Sequence, residues 1–256
     1  MEFTTLDVSV DGRIGRLTLN QPEKLNPLGT VPLAELAEAA AWFDATEASV
    51  VIVTGAGRAF SSGFDLREFA GGPDATPHDN RAQADLGRLM AEAMERMRAV
   101  TIAAVKGPCV GGGVVLAGVC DLRIAADDTV FSIPEVDLGI PLAWGGIPRL
   151  VREIPPAIVR ELVLTCRPFD ADEARSLGFV NRVVPQAELE FAVDELAMQL
   201  ARKAPSVVRA TKRQVNTALE NVASTTGAWA DADQLGAALG DPEARAAARD
   251  YLSRRS

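Results

Sequence analysis

The chain of 256 residues has one histidine, one tyrosine and three cysteines, and no run approaching the about 18 apolar residues that a membrane span needs. Each shortage closes a class of function. A Ser-His-Asp hydrolase would have to use His78 as its base, yet His78 sits in the turn-rich stretch Gly71-Gly72-Pro73-Asp74-Ala75-Thr76-Pro77-His78-Asp79, which reads as a mobile loop. Cys109, Cys120 and Cys166 are odd in number, lie on apolar segments and lack metal-ligand spacing. They read as small core residues in a reducing compartment, with neither disulfides nor zinc expected. The start Met1-Glu2-Phe3-Thr4-Thr5 lacks the basic-then-apolar pattern of a signal peptide, so a cytoplasmic protein without a membrane partner is expected. Positive charge is also short. Lys plus Arg number 26 against 35 Asp plus Glu, a net charge of −9, which disfavours a nucleic-acid surface and requires any anionic ligand to find a local basic pocket.

What is present is 48% apolar and 24% charged, the composition of a folded globular chain. Leu6, Val8 and Val10 alternate with polar residues, Asp11-Gly12 turns, and Ile14, Leu17 and Leu19 resume, which predicts a hairpin. Thr30 can cap a helix carrying Leu33, Leu36, Ala37 and Ala40 on one face, ahead of a buried strand at Val50 to Thr54. The unit repeats with a helix near Ala82 to Arg98, a strand at Thr101 to Val105, a short helix from Gly112 and a strand at Leu122 to Ala125. This alternation predicts an α/β fold. Past residue 185 the pattern is helical only, with helices around Leu189 to Leu200, from Pro205 and from Asp241-Pro242. The division expected is 1–190 for the α/β core and 191–256 for a helical region that packs on the core or on another copy of the chain.

Three segments can carry chemistry. Val51 to Thr54 runs into Gly55-Ala56-Gly57-Arg58-Ala59-Phe60-Ser61-Ser62-Gly63-Phe64-Asp65-Leu66, where Gly63 can turn the Phe64 amide outward; the same pattern also fits a plain strand-to-loop turn. Val105-Lys106-Gly107-Pro108-Cys109-Val110-Gly111-Gly112-Gly113 opens a helix whose free amides favour an oxyanion, or else lets the helix pack closely on the sheet; neither a G-x-G-x-x-G run nor a Walker lysine is present. In Phe131-Ser132-Ile133-Pro134-Glu135-Val136-Asp137-Leu138-Gly139, Glu135 stands among apolar neighbours. Desolvation there would raise its pKa toward the range where it takes and returns a proton near neutral pH, whereas a solvated surface position would leave it ordinary. Asp137 shares the face of Glu135 on an extended segment but not on a turn.

In this order, and with Asn20-Gln21-Pro22-Glu23-Lys24-Leu25-Asn26 before them and Cys120-Asp121-Leu122-Arg123-Ile124-Ala125 among them, these segments resemble the crotonase superfamily, the enoyl-CoA hydratase/isomerase family, over nearly the whole chain. The resemblance implies a ClpP/crotonase-like spiral of β-β-α turns with a C-terminal helical trimerisation region. It also implies homotrimers or dimers of trimers, and acyl-CoA thioesters of fatty-acid metabolism as substrate, with coenzyme A entering as part of the substrate and no separate cofactor. By position, the amides of Phe64 and Gly112 would form the oxyanion hole and Glu135 would be the acid/base. The two-glutamate hydratases carry their first glutamate where this chain has Val115, and some isomerase-like members carry an aspartate where it has Ala143. Double-bond isomerisation with one base is therefore the activity expected, with hydration by Glu135 alone, another enolate reaction, or a non-catalytic acyl-CoA-binding protein as alternatives. The resemblance further places Lys24 and Arg58 near the adenosine and phosphates, Arg67 close to the pantetheine mouth, and the backbones of Leu25, Ala59 and Phe60 in contact with the nucleotide. Tyr251, Arg254 and Arg255 would lie on a terminal helix closing a neighbouring subunit's pocket. Val115, Phe131 and Trp144 are expected to shape the acyl pocket, with core packing as the alternative for the two aromatics.

Overall fold

The computed structural model describes residues 2–65, 68 and 76–254. Alternating apolar residues form β1 (Leu6–Asp11) and β2 (Ile14–Leu19), which pair antiparallel around the Gly12 turn. From β2 the sheet continues in parallel through β3 (Val50–Gly55), β4 (Val100–Val105), β6 (Leu122–Ala126) and β9 (Arg182–Val184). A smaller sheet holds β5 (Pro108–Val110), β7 (Val130–Ser132) and β8 (Phe169–Asp170).

Side chains alternate across a strand, so β3 feeds two cores. Val51 and Val53 face α1 (Thr30–Asp44), α2 (Pro77–Arg96) and α3 (Gly112–Val119), packing with Leu33, Leu36, Met90 and Leu116. On the opposite face Val50 and Ile52 join Ile102 and Ile124 beneath Leu189, Val193 and Ala197 of α7 (Leu189–Ala201). Between β7 and α7 run α4 (Gly146–Glu153), α5 (Pro156–Thr165) and α6 (Ala171–Ser176). The chain continues through α8 (Pro205–Val222), α9 (Asp231–Gly240) and α10 (Pro242–Ser253). α8 is tied down by Lys212, a buried ammonium that reaches the Ala99 carbonyl at 2.9 Å and the Asp121 carboxylate at 2.7 Å.

The hairpin, the buried strands and the helix at Gly112 lie where the sequence places them. α2 starts earlier. Thr76 and Asp79 form a reciprocal capping box, so His78 stands exposed on the first turn of a helix and not in a loop. α7 packs Leu189, Val193 and Ala197 onto the sheet. Among the described residues no helix is long and apolar enough to cross a membrane, and no group of three or more His, Cys, Asp or Glu could hold a metal.

Candidate active site

Three backbone segments are drawn together by one register. Ser61 and Cys109 form a parallel bridge, with the Val110 amide donating to the Ser61 carbonyl at 3.0 Å, while β7 lies on the other side of β5 with Cys109 opposite Phe131. Phe64 and Gly112 each lie three residues beyond that first bridge, and Glu135 lies four beyond Phe131. The three candidate segments therefore reach one end of the small sheet side by side.

Local chemistry sets each direction. Leu28 pairs with Phe64, its own amide bonded to the Gly63 carbonyl at 2.8 Å and its carbonyl to the Asp65 amide at 3.2 Å. In such a parallel bridge the opposed residue's N–H points away, which turns the Phe64 amide from Leu28 toward the β5–α3 segment. Gly63 adopts φ 83°, and a methyl built on it would lie 2.6 Å from the Val110 carbonyl oxygen and 3.6 Å from the Gly112 nitrogen. Only glycine fits that approach. Gly111, at φ 50°, caps α3 and leaves the Gly112 amide at the helix start, where among the described residues it finds no acceptor.

Glu135 begins the turn after β7, only 9% exposed, and a methyl on Gly111 would stand 2.4 Å from its Oε1. Among the described residues Oε2 has no hydrogen-bond partner. Burial pushes this carboxyl up to about 7, against a smaller lowering by its own backbone. Asp137 falls on the turn and is exposed.

These groups line a cavity of about 250 Å³. Phe64, Gly112, Val115, Glu135 and Trp144 all reach it. Phe131 does not line it among the described residues: it points into the core, stacked on Phe169 at 5.3 Å and edge-on to Phe179 at 5.6 Å. Sequence reasoning points to the segment between residues 69 and 85 as pocket lining without naming Asn80 and Gln83, and it misses Glu68 on the same wall and Leu235, Gly236 and Leu239 on another. Glu68 is a second carboxylate, but it caps α1 by accepting from the Thr30 amide at 2.7 Å and hydroxyl at 2.6 Å. The residues from α9 belong to the same chain. The tail thus covers its own core, with Asp231 accepting from the Gly145 amide at 2.7 Å and Asp233 pairing with Arg81 at 2.7 Å. Helix α10 follows, its Ala244 carbonyl oxygen 2.2 Å from where a methyl on Gly139 would lie. Tyr251 is half-buried and Arg254, exposed, pairs with Asp250; neither lines the cavity. Arg67 and Arg255 lie outside the described residues.

A larger cavity of about 560 Å³ lies beneath α8. Its buried cations are neutralised, Arg149 and Arg152 by Glu95 at 2.7 and 2.6 Å and Lys212 by Asp121, so the chemistry gathers in the smaller one.

The loops expected to meet a nucleotide are held by one side chain. Asn26, buried at φ 55°, donates to the Ala56 and Ala59 carbonyls at 2.9 and 3.0 Å and accepts from the Gln21 amide at 3.0 Å. The Leu25 carbonyl takes the Ser62 amide at 2.8 Å and the Phe60 amide donates to the Lys106 carbonyl at 2.8 Å, so these backbones build the loop. Phe60 and Ala59 are buried, while Lys24 and Arg58 are exposed on the two loops that Asn26 joins. Asn26→Ala strands three polar groups and is expected to lower stability by about 3 kcal/mol in urea denaturation. A loss within a few tenths of that of a surface substitution would contradict this role.

A sequence profile described as enoyl-CoA hydratase/isomerase matches residues 10–256. The chain is 38% identical over 222 residues to a probable enoyl-CoA hydratase of Mycobacterium bovis, covering 86% of this chain and 84% of that one. It is 40% identical over 220 residues to the carnitinyl-CoA dehydratase of Escherichia coli, covering 84% and 82%. The crystal structure of an enoyl-CoA hydratase/isomerase from Mycobacterium paratuberculosis superimposes with a TM-score of 0.88 at 27% identity, over 98% of this chain and 100% of the other. With its three signature segments converging on one cavity and the family profile matched over residues 10–256, the chain belongs to the enoyl-CoA hydratase/isomerase family and has the crotonase fold.

Proposed function

We propose that the protein forms the enolate of an acyl-CoA thioester and uses it to move the double bond of an enoyl-CoA. The observation that carries this reading is Glu135: a buried carboxyl with an unpartnered oxygen, pushed up to about 7, beside the glycines that open α3. The thioester oxygen accepts hydrogen bonds from the Phe64 and Gly112 amides. Glu135 takes the C2 proton of a 3-enoyl-CoA, and the electron pair spreads onto that oxygen. The protonated Glu135 then returns the proton at C4, the double bond settles between C2 and C3, and no water is consumed. Each oxyanion donor contributes about 2.7–4 kcal/mol of transition-state stabilisation, the largest share of the catalysis.

Val115 supports isomerisation over hydration. It lines the cavity, 2% exposed, at the position where two-glutamate hydratases carry their first carboxylate, and it can neither hold nor deprotonate water. Glu68, the other carboxylate on the wall, is occupied at the start of α1. Lys24 and Arg58 supply the cationic side chains that an acidic protein needs to recruit a polyanionic nucleotide.

Hydration of a 2-enoyl-CoA by Glu135 alone is the second reading, favoured by the hydratase and dehydratase names of the relatives. Steady-state assays on matched 3-enoyl-CoA and 2-enoyl-CoA decide between them. Isomerisation is expected to exceed hydration in kcat/KM by about tenfold or more. The reverse order would establish water addition as the reaction.

A further inference from the structure

Trp144 is held in a backbone conformation that a bulky residue rarely adopts, φ 63°, followed by Gly145 at φ 66°. Such strain persists only where neighbours over-determine it. Here the Trp144 carbonyl accepts from Arg149 Nη1 at 2.9 Å, Glu95 steadies Arg149 through Nη2 at 2.7 Å, and the Gly145 amide is fixed on Asp231. These contacts aim the indole into a slot between α2 and α3. A methyl on Gly87 would lie 2.0 Å from the indole Cε2, and one on Gly112 would lie 2.3 Å from its Cζ3. Gly87 sits inside a helix without a positive φ, so its lack of a side chain serves the ring and not the backbone. The ring also packs edge-on to Phe64, centroids 6.1 Å apart. Trp144 therefore touches both residues whose amides would bind the thioester oxygen, and it lines the cavity.

We infer that Trp144 is a specificity-determining residue: its indole fills the space between α2 and α3 that a longer acyl chain would occupy, and restricts the enzyme to short acyl groups. This rests on the acyl-CoA reading of the site. Removing the ring opens the space between Gly87 and Gly112, beside the cavity that Trp144 itself lines. A change of even one methylene in an apolar pocket alters selectivity by about 10–200-fold, so loss of an indole is a large change.

The test is calorimetric binding of butyryl-CoA and lauroyl-CoA to the wild-type protein, Trp144→Ala and Trp144→Phe, with circular dichroism and a cooperative melt as the check of folding. The wild type is expected to prefer butyryl-CoA by about tenfold or more, and Trp144→Ala to shift the ratio toward lauroyl-CoA by about tenfold or more, with Trp144→Phe between them. Should Trp144→Ala fail to fold, the smaller shift in Trp144→Phe carries the test. An unchanged ratio, with both ligands weakened equally, would overturn the inference while leaving the acyl-CoA reading intact. Wild-type protein that binds neither ligand would overturn that reading and this inference together.

Discussion

Glu135→Gln is expected to lower turnover by about 10²–10⁴-fold, the contribution of a positioned acid/base, with KM little changed because the amide keeps the shape of the carboxyl. The pH profile supplies a second reading of the same group. Abstraction needs the carboxylate, and burial holds the carboxyl's pKa at about 7 in place of 4.5. kcat/KM of the wild type should therefore rise with pH through about 7 and level off above it. Stability moves the other way. Between 4.5 and about 7 the folded chain keeps a proton that the unfolded chain gives up, so ionising Glu135 erodes stability as pH rises across that interval. The shift corresponds to on the order of 3 kcal/mol. Glu135→Gln should thus be more stable than the wild type above about 7, and the gap should close below 4.5. Urea denaturation across that range measures it. A gap that is constant with pH would show that Glu135 is solvated.

Gly111→Ala is expected to be nearly as damaging, although residue 111 has no side chain to contribute. Its φ of 50° lies in the left-handed region, and the new methyl would stand 2.4 Å from Glu135 Oε1. The carboxyl has to move. A displacement of about 1 Å at a reacting group costs about 10²-fold in rate, so turnover should fall by at least that order. If the carboxyl swings toward solvent, desolvation relaxes and the acid limb should move from about 7 toward 4.5. Measuring kcat/KM against pH for Gly111→Ala separates this from simple destabilisation, which leaves the limb in place. Wild-type turnover with an unmoved limb would contradict the proximity of base and glycine.

Those two residues also mark how far a sequence can be read. The glycines at 63 and 111 to 113 signal close backbone approach, because few residue types permit it. The apolar neighbours of Glu135 raised the prospect of burial, but the absence of a partner on Oε2 depends on three dimensions. Asp137 was legible only as a choice between an extended segment and a turn, and the turn puts it in solvent. The Thr76-Pro77-His78-Asp79 capping signal is present in the sequence, yet the glycines and Pro73 before it favour a loop at His78 on local grounds. Phe131 lies close to Glu135 along the chain, but strand alternation on β7 sends it into the core. β5, β7 and β8 are three, three and two residues long, too short to show a period of two. Leu235 and Leu239 lie about a hundred residues beyond Glu135 in the chain, and no local pattern says that α9 folds back over its own cavity. The pairing of Gly87 with Trp144 is hidden for the same reason. A helical glycine reads as a weak spot until the ring that occupies its place is seen.

Enolate formation can be observed without committing to isomerisation or hydration. Wild-type protein incubated with butyryl-CoA in deuterated water should replace the C2 hydrogens with deuterium, as followed by proton NMR. The exchange rate should rise with pH through about 7, and Glu135→Gln should slow it by about 10²-fold or more. Exchange that proceeds equally fast in Glu135→Gln, or no exchange in a wild-type protein that binds butyryl-CoA, would contradict a thioester enolate formed by Glu135.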